Sequence, residues 1–137
     1  MKVPKRAIFI LIAIGTLACF SPYLLLFGTL AYDSVRVYVH RRPFDSAAWR
    51  DLKQVESDDP VRIRMVDNLI KSRRLHHLSR AEVEKVLGTP TATDKFHGYD
   101  FVYWLGPERG LMRIDSEWLV INFDEKGIVL KYDIARD

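Results

Sequence analysis

Leu78-Ser79-Arg80-Ala81-Glu82-Val83-Glu84-Lys85-Val86-Leu87-Gly88-Thr89-Pro90 is the stretch that decides the fold. Ser79 and Glu82 hold the Ser-x-x-Glu spacing of a capping box, in which each side chain bonds the other residue's backbone N–H. Leu78 and Val83 occupy the flanking positions of a hydrophobic staple. Gly88 offers a left-handed stop, and Pro90 cannot continue a helix. The spacing predicts a short helix over 79–87 that turns Val83, Val86 and Leu87 to one side.

Downstream, after a polar loop, the apolar period falls from about 3.6 to 2. Tyr99, Phe101, Tyr103 and Leu105 alternate with Asp100, Val102 and Trp104, giving a strand with two distinct faces. A second strand is predicted over Glu117–Phe123. A third gathers Ile128, Leu130, Tyr132 and Ile134 opposite Val129, Lys131 and Asp133, after a bulged turn through Asp124-Glu125-Lys126-Gly127. Upstream, Asp45 caps a short helix carrying Ala48, Trp49 and Leu52. Asp59 and Pro60 open a second helix, in which Met65, Val66, Leu69 and Ile70 recur at helical spacing as far as Arg73 or Arg74. The predicted order is α-α-α-β-β-β, an antiparallel meander with helices on one face.

Further upstream, the 26 residues Ala7 to Tyr32 contain no Asp, Glu, Lys, Arg or His. As a helix such a run extends roughly 39 Å, against a hydrocarbon core of about 30 Å. Lys2, Lys5 and Arg6 precede it, the pattern of a signal or a signal anchor, and its length favours an uncleaved anchor. The expected organisation is a basic N-terminus (1–6), a transmembrane anchor (7–32), a juxtamembrane linker (33–43) and an α+β domain (44–137). Thr16-Leu17-Ala18-Cys19 resembles a bacterial lipobox, so lipidation of Cys19 is the alternative route to the same membrane. Cys19 is the single cysteine, which rules out an intramolecular disulfide. Basic residues flank the run on both sides, so charge does not fix orientation.

The formal net charge of +3 conceals a gradient. Residues 33–80 carry eleven Lys/Arg against seven Asp/Glu, and residues 81–137 carry seven against eleven. A basic membrane-proximal half suits anionic head groups. No Lys/Arg run interleaves with stacking aromatics, so no nucleic-acid partner is expected.

The helix ending in Leu87-Gly88-Thr89-Pro90, the aromatic strand after it, and the strand ending at Phe123 before a turn with Gly127 resemble the BamE (SmpA/OmlA) family of small bacterial envelope proteins. The β-lactamase-inhibitor-like domains share this small fold, and Tyr103-Trp104-Leu105-Gly106-Pro107-Glu108-Arg109-Gly110 is similar to a stretch found in bacterial membrane proteins of the same kind. The resemblance covers about sixty residues. It implies helices on a three-stranded antiparallel sheet and a domain on the extracytoplasmic side. The long anchor and the region Asp45–Arg74 depart from the family's short N-terminus, so a role in outer-membrane β-barrel assembly is not carried over.

The expected function is that of a membrane-anchored, non-enzymatic binding or scaffold protein of the cell envelope, with the lipid bilayer and a protein as partners. Val102, Trp104, Trp118, Val120 and Val129 should gather on the sheet's second face. That face is either a partner surface or is covered by the Asp45–Leu52 helix with Trp49. In the loop 106–116, Glu108, Arg109, Arg113 and Asp115 are expected to pair locally. Lys71, Arg73, Arg74 and Arg80, with His76 and His77, form a basic cluster suited to anionic lipid. The adjacent histidines lack a metal-ligand framework, and no nucleophile motif or phosphate loop is present, so no metal, cofactor or catalytic residue is expected. An inhibitor or sensor module is the second reading. A small membrane-bound enzyme, using a pocket with Asp115, Glu117 and Arg109, is the third.

Overall fold

Asp45 and Ser79 both act as the N-caps that their sequence positions suggest. In a computed structural model of the chain, which describes residues 20–29, 32, 35, 40–57, 59–109 and 114–137, the Asp45 carboxylate accepts from Ala48 N at 2.7 Å and opens α1 (Ser46–Arg50). Asp51 interrupts the chain there and caps a separate turn, α2 (Leu52–Val55). The single helix expected from Asp45 is therefore broken in two, because the Asp51 side chain bonds Lys53 N at 3.1 Å and holds its own backbone extended. The break turns Leu52 outward, 62% exposed, while Trp49 is fully buried.

Pro60 stands at the N-cap of α3 (Val61–Lys71), one position earlier than expected, and no side chain caps the helix. Met65, Val66 and Leu69 are fully buried, as the helical stripe requires. The helix ends at Lys71, before Arg73, which takes a left-handed φ of 52°. Helix α4 (Arg80–Leu87) carries the complete capping box, with Ser79 N donating to Glu82 Oε2 at 2.8 Å, and stops at Gly88 with φ 79°.

Three strands follow, β1 (Phe101–Pro107), β2 (Ser116–Phe123) and β3 (Val129–Arg136), paired antiparallel in the order β1-β2-β3. Phe101, Tyr103, Leu105, Leu119, Ile121 and Phe123 face the helices and join Trp49, Met65, Val66, Leu69, Val83 and Leu87 in the main core. The alternation expected for β3 fails at its start. Asn122 pairs with Lys131 but Phe123 pairs with Val129, so Leu130 is an extra residue in a bulge. Val129 accordingly packs on the main core, and Leu130 is 67% exposed.

A second bulge lies between Trp104 and Gly106. It brings Gly106, at φ 141°, against Pro60 at the start of α3, where a Cβ would lie 3.1 Å from the proline ring. Only glycine meets both demands.

Among the described residues no helix is long and apolar enough to cross a membrane. Residues 20–29 are helical, with Phe20, Tyr23, Leu24, Leu25, Leu26 and Phe27 exposed. The rest of the expected anchor, 7–19 and 30–31, lies outside the described residues, as does Cys19.

Gly106→Ala should destabilise the fold by about 1–3 kcal/mol, from left-handed strain plus the clash with Pro60. Gly98→Ala, whose Cβ would meet nothing within 4 Å, should stay within about 0.5 kcal/mol of the parent. Urea titrations of the two variants side by side measure the difference.

Candidate functional site

Parity along β2 places Glu117 on the same face as Leu119 and Ile121, which buries a carboxylate completely. The structure compensates the charge. Arg109 donates from Nε to Glu117 Oε2 at 2.8 Å and from its backbone N to Oε1 at 3.1 Å. Arg136 approaches Oε1 at 3.4 Å. Arg109 also reaches Asp67 on α3 at 2.9 Å, and Asp67 binds Arg41 at 3.0 Å. Arg136 completes the series with Glu108 at 3.1 Å. Burial works against the Arg109 charge, yet the hydrogen bond it donates to Asp67 and the charge of Glu117 together raise its pKa above the ordinary guanidinium value.

The loop pairing expected among Glu108, Arg109 and Asp115 is thus redirected. Glu108 and Arg109 pair outside the loop, with Arg136, Glu117 and Asp67. Asp115 contributes its carbonyl, which accepts from Glu108 N at 2.8 Å, and is exposed. Arg113 lies outside the described residues. Both oxygens of Glu117 are occupied, so it is a structural anchor of the loop and not a free acid.

Arg41 belongs to a longer fastening of the linker. Arg42 N donates to Arg64 O at 3.0 Å, and Phe44 N to Asn68 Oδ1 at 2.8 Å. The Phe44 ring is buried against Trp49, with centroids 5.5 Å apart. Residues 41–44 are in this way tied to α3 along its length.

The second face of the sheet holds Val102, Trp118 and Val120, all buried, with Trp104 half-buried beside them. Val129 is not among them, being on the main core. Nor does Trp49 cover this face, since α1 packs on the other side. The cover is the segment between α4 and β1. Thr91 N donates to Val102 O at 2.8 Å, and Thr91 Oγ1 accepts from Trp104 N at 3.0 Å, which dresses the edge of β1. Farther along, Phe96 adopts φ 61° to set its ring 5.8 Å from that of Trp118, and Lys95 pairs with Asp137. Asn122 Nδ2 then donates to Gly98 O at 2.9 Å.

Where this cover meets α2, a cleft of about 350 Å³ remains open, lined by residues that include Leu52, Glu56, Arg62, Thr91, Trp104 and Trp118. Arg62 did not stand out by motif, yet it is the unusual group here. It is 4% exposed, donates from Nε to Trp49 O at 2.9 Å and from Nη1 to Trp104 O at 3.2 Å, and lies over the Trp49 and Tyr103 rings. No carboxylate pairs with it among the described residues, and burial pushes its pKa down to about 10.

The basic cluster is dispersed by its partners. Lys71 and Arg73 are exposed at the end of α3, Arg74 lies over the Phe44 ring, and Arg80 pairs with Asp100 at 2.6 Å above the Phe123 ring. His76 stacks edge-on to Tyr132, 5.8 Å away. Among the described residues no group of three His, Cys, Asp or Glu side chains could hold a metal ion.

Arg109→Met should cost about 3–5 kcal/mol, because it leaves Glu117 buried with its main counter-charge removed. Arg136→Gln, at an exposed guanidinium, should cost under about 1 kcal/mol. Denaturant midpoints of the two variants separate these outcomes.

Comparison with known proteins agrees with the geometry of the sheet and α4. Residues 76–133 match the model of the outer membrane protein assembly factor BamE domain. None of the curated proteins and none of the solved structures compared matches the chain. The matched residues run from the turn before α4 to the middle of β3, and they form a BamE-like small domain.

Proposed function

We propose that the chain is a membrane-anchored, non-enzymatic binding or scaffold protein of the bacterial cell envelope. In this reading residues 7–32 hold it in the bilayer and the domain 44–137 stands on the extracytoplasmic side. The matched family is named for outer membrane protein assembly, and a binding or scaffold role is in keeping with that name. The charged groups described above fit the same reading, because Glu117 and Asp67 are both committed to Arg109.

The observation that carries the proposal is the fastening of residues 41–44 to α3. Eight residues separate Tyr32 from Arg41, a reach of roughly 30 Å when fully extended. A domain fastened so soon after the apolar run works at the membrane surface and does not sample the space beyond on a long tether. Lys71 and Arg73, exposed at the end of α3, are then available to anionic head groups.

Fractionation of cells expressing the full chain tests this. The protein should stay with membranes through high salt and alkaline carbonate and leave only with detergent, while a chain lacking residues 1–39 should be released. Crosslinking in the same membranes should join the domain to an envelope protein. Recovery of the full-length chain in the dispersed fraction without detergent would overturn the anchor. The intact mass distinguishes an uncleaved anchor from cleavage before Cys19 with acylation.

A further inference from the structure

We propose that the cleft between α2 and the outer face of the sheet is a recognition site for an acidic side chain of a partner protein, presented next to an apolar one on an extended segment. The inference rests on the reading of the chain as a binding domain and gives that reading its chemistry.

Arg62 supplies the anion-binding group. Nε and Nη1 are spent on the carbonyls of Trp49 and Trp104, so the guanidinium is fixed in place before any ligand arrives, while Nη2 has no acceptor among the described residues. Arg109 shows what the fold does with a buried guanidinium whose role is internal: it surrounds the group with Asp67 and Glu117. Arg62 has the same burial problem and no carboxylate. A charge-assisted bond to an incoming carboxylate fills that deficit, and a planar guanidinium is shaped for it.

The surrounding walls define the neighbouring group. Leu52 projects 62% exposed at one lip, and Trp104 and Trp118 form the opposite wall. Thr89 and Thr91 add hydroxyls. At about 350 Å³ the space accepts a pair of side chains, one charged and one apolar, and it opens to solvent. Among the described lining residues, Glu56 is the one carboxylate opposing an anion.

The test uses the full chain in detergent micelles, with the indole N–H signal of Trp104 followed by NMR during titration with acetyl-Leu-Glu-Leu-amide and with its Gln counterpart. The Glu peptide should shift Trp104 saturably, and the Gln peptide should bind about tenfold more weakly or worse. Arg62→Met should abolish the shift. Because Arg62 also braces α1 against β1, two variants outside the core carry the test if that one fails to fold. Leu52→Glu should lose the peptide at unchanged melting temperature, and Glu56→Gln should tighten it about two- to fivefold by removing the opposing charge. Equal binding of the Glu and Gln peptides, no shift from either, or no effect of Glu56→Gln would overturn the site and leave Arg62 as a brace. Membrane retention and crosslinking of the parent chain would survive that result, so failure of the cleft is distinguishable from failure of the binding role.

Discussion

A three-stranded sheet has two faces, and in this domain both are apolar, although helices are available to only one of them. Tyr103, Leu119 and Ile121 on one side and Val102, Trp118 and Val120 on the other are almost equally buried. Burying each such side chain contributes about 1.5–3 kcal/mol, so a bare second face would forfeit much of a small domain's margin. The chain meets the constraint with a loop. The segment from Thr91 to Tyr99 crosses the outer face and is fastened at the edge of β1 by Thr91, at the centre by Phe96 on Trp118, and at the end by Asn122 on Gly98. Holding Phe96 at φ 61° costs about 1 kcal/mol or more. The ring contact and the burial of Trp118 offset it.

The cover is incomplete beside α2, and that is where the cleft opens. At this same end of the sheet, on the inner face, the filling is done by charge. There β2 begins with an inward-facing Glu117, and the space is filled by charges arranged in alternation from Arg41 to Glu108. This series draws together the linker, α3, both ends of the 106–116 loop and the last residues of β3. The fastening of the linker and the shape of the loop therefore share one electrostatic support.

Much of this was legible in the sequence, and the failures have physical causes. The capping box at Ser79 and Glu82, the stripe Met65-Val66-Leu69 and the alternation of β1 from Phe101 onward depend on contacts within a few residues, and each is found where its spacing placed it, while Tyr99 falls before the strand and is exposed. The β3 alternation did not survive because a bulge is set by pairing with β2, which no property of Leu130 announces. The cover of the second face comes from neither of the two sources the sequence suggests, a partner or the Asp45–Leu52 helix: the Thr91–Tyr99 segment has neither period to recommend it, whereas Trp49 is a large apolar side chain on a short helix. Two charged residues had a readable signal that went unused. Glu117 shares the parity of Leu119 and Ile121, and Arg62 lies three and four residues before Met65 and Val66, on the buried stripe of its own helix.

The contrast between those two charges bears on what the domain is for. A buried ion pair is weak evidence of stabilisation, since apolar residues of similar volume often serve as well or better. Arg109 with Glu117 and Asp67 at least settles its own desolvation. Arg62 stands on the apolar stripe of α3, among residues that are almost all aliphatic, with only carbonyl oxygens and aromatic faces for company. A methionine there would avoid the cost of burying a cation but would leave the Trp49 and Trp104 carbonyls without their donor, so bracing accounts for Nε and Nη1 and leaves Nη2 without an acceptor among the described residues. Its position at an opening in the cover of the second face gives it a use: it is the group through which an otherwise apolar surface distinguishes a charged partner from a merely greasy one.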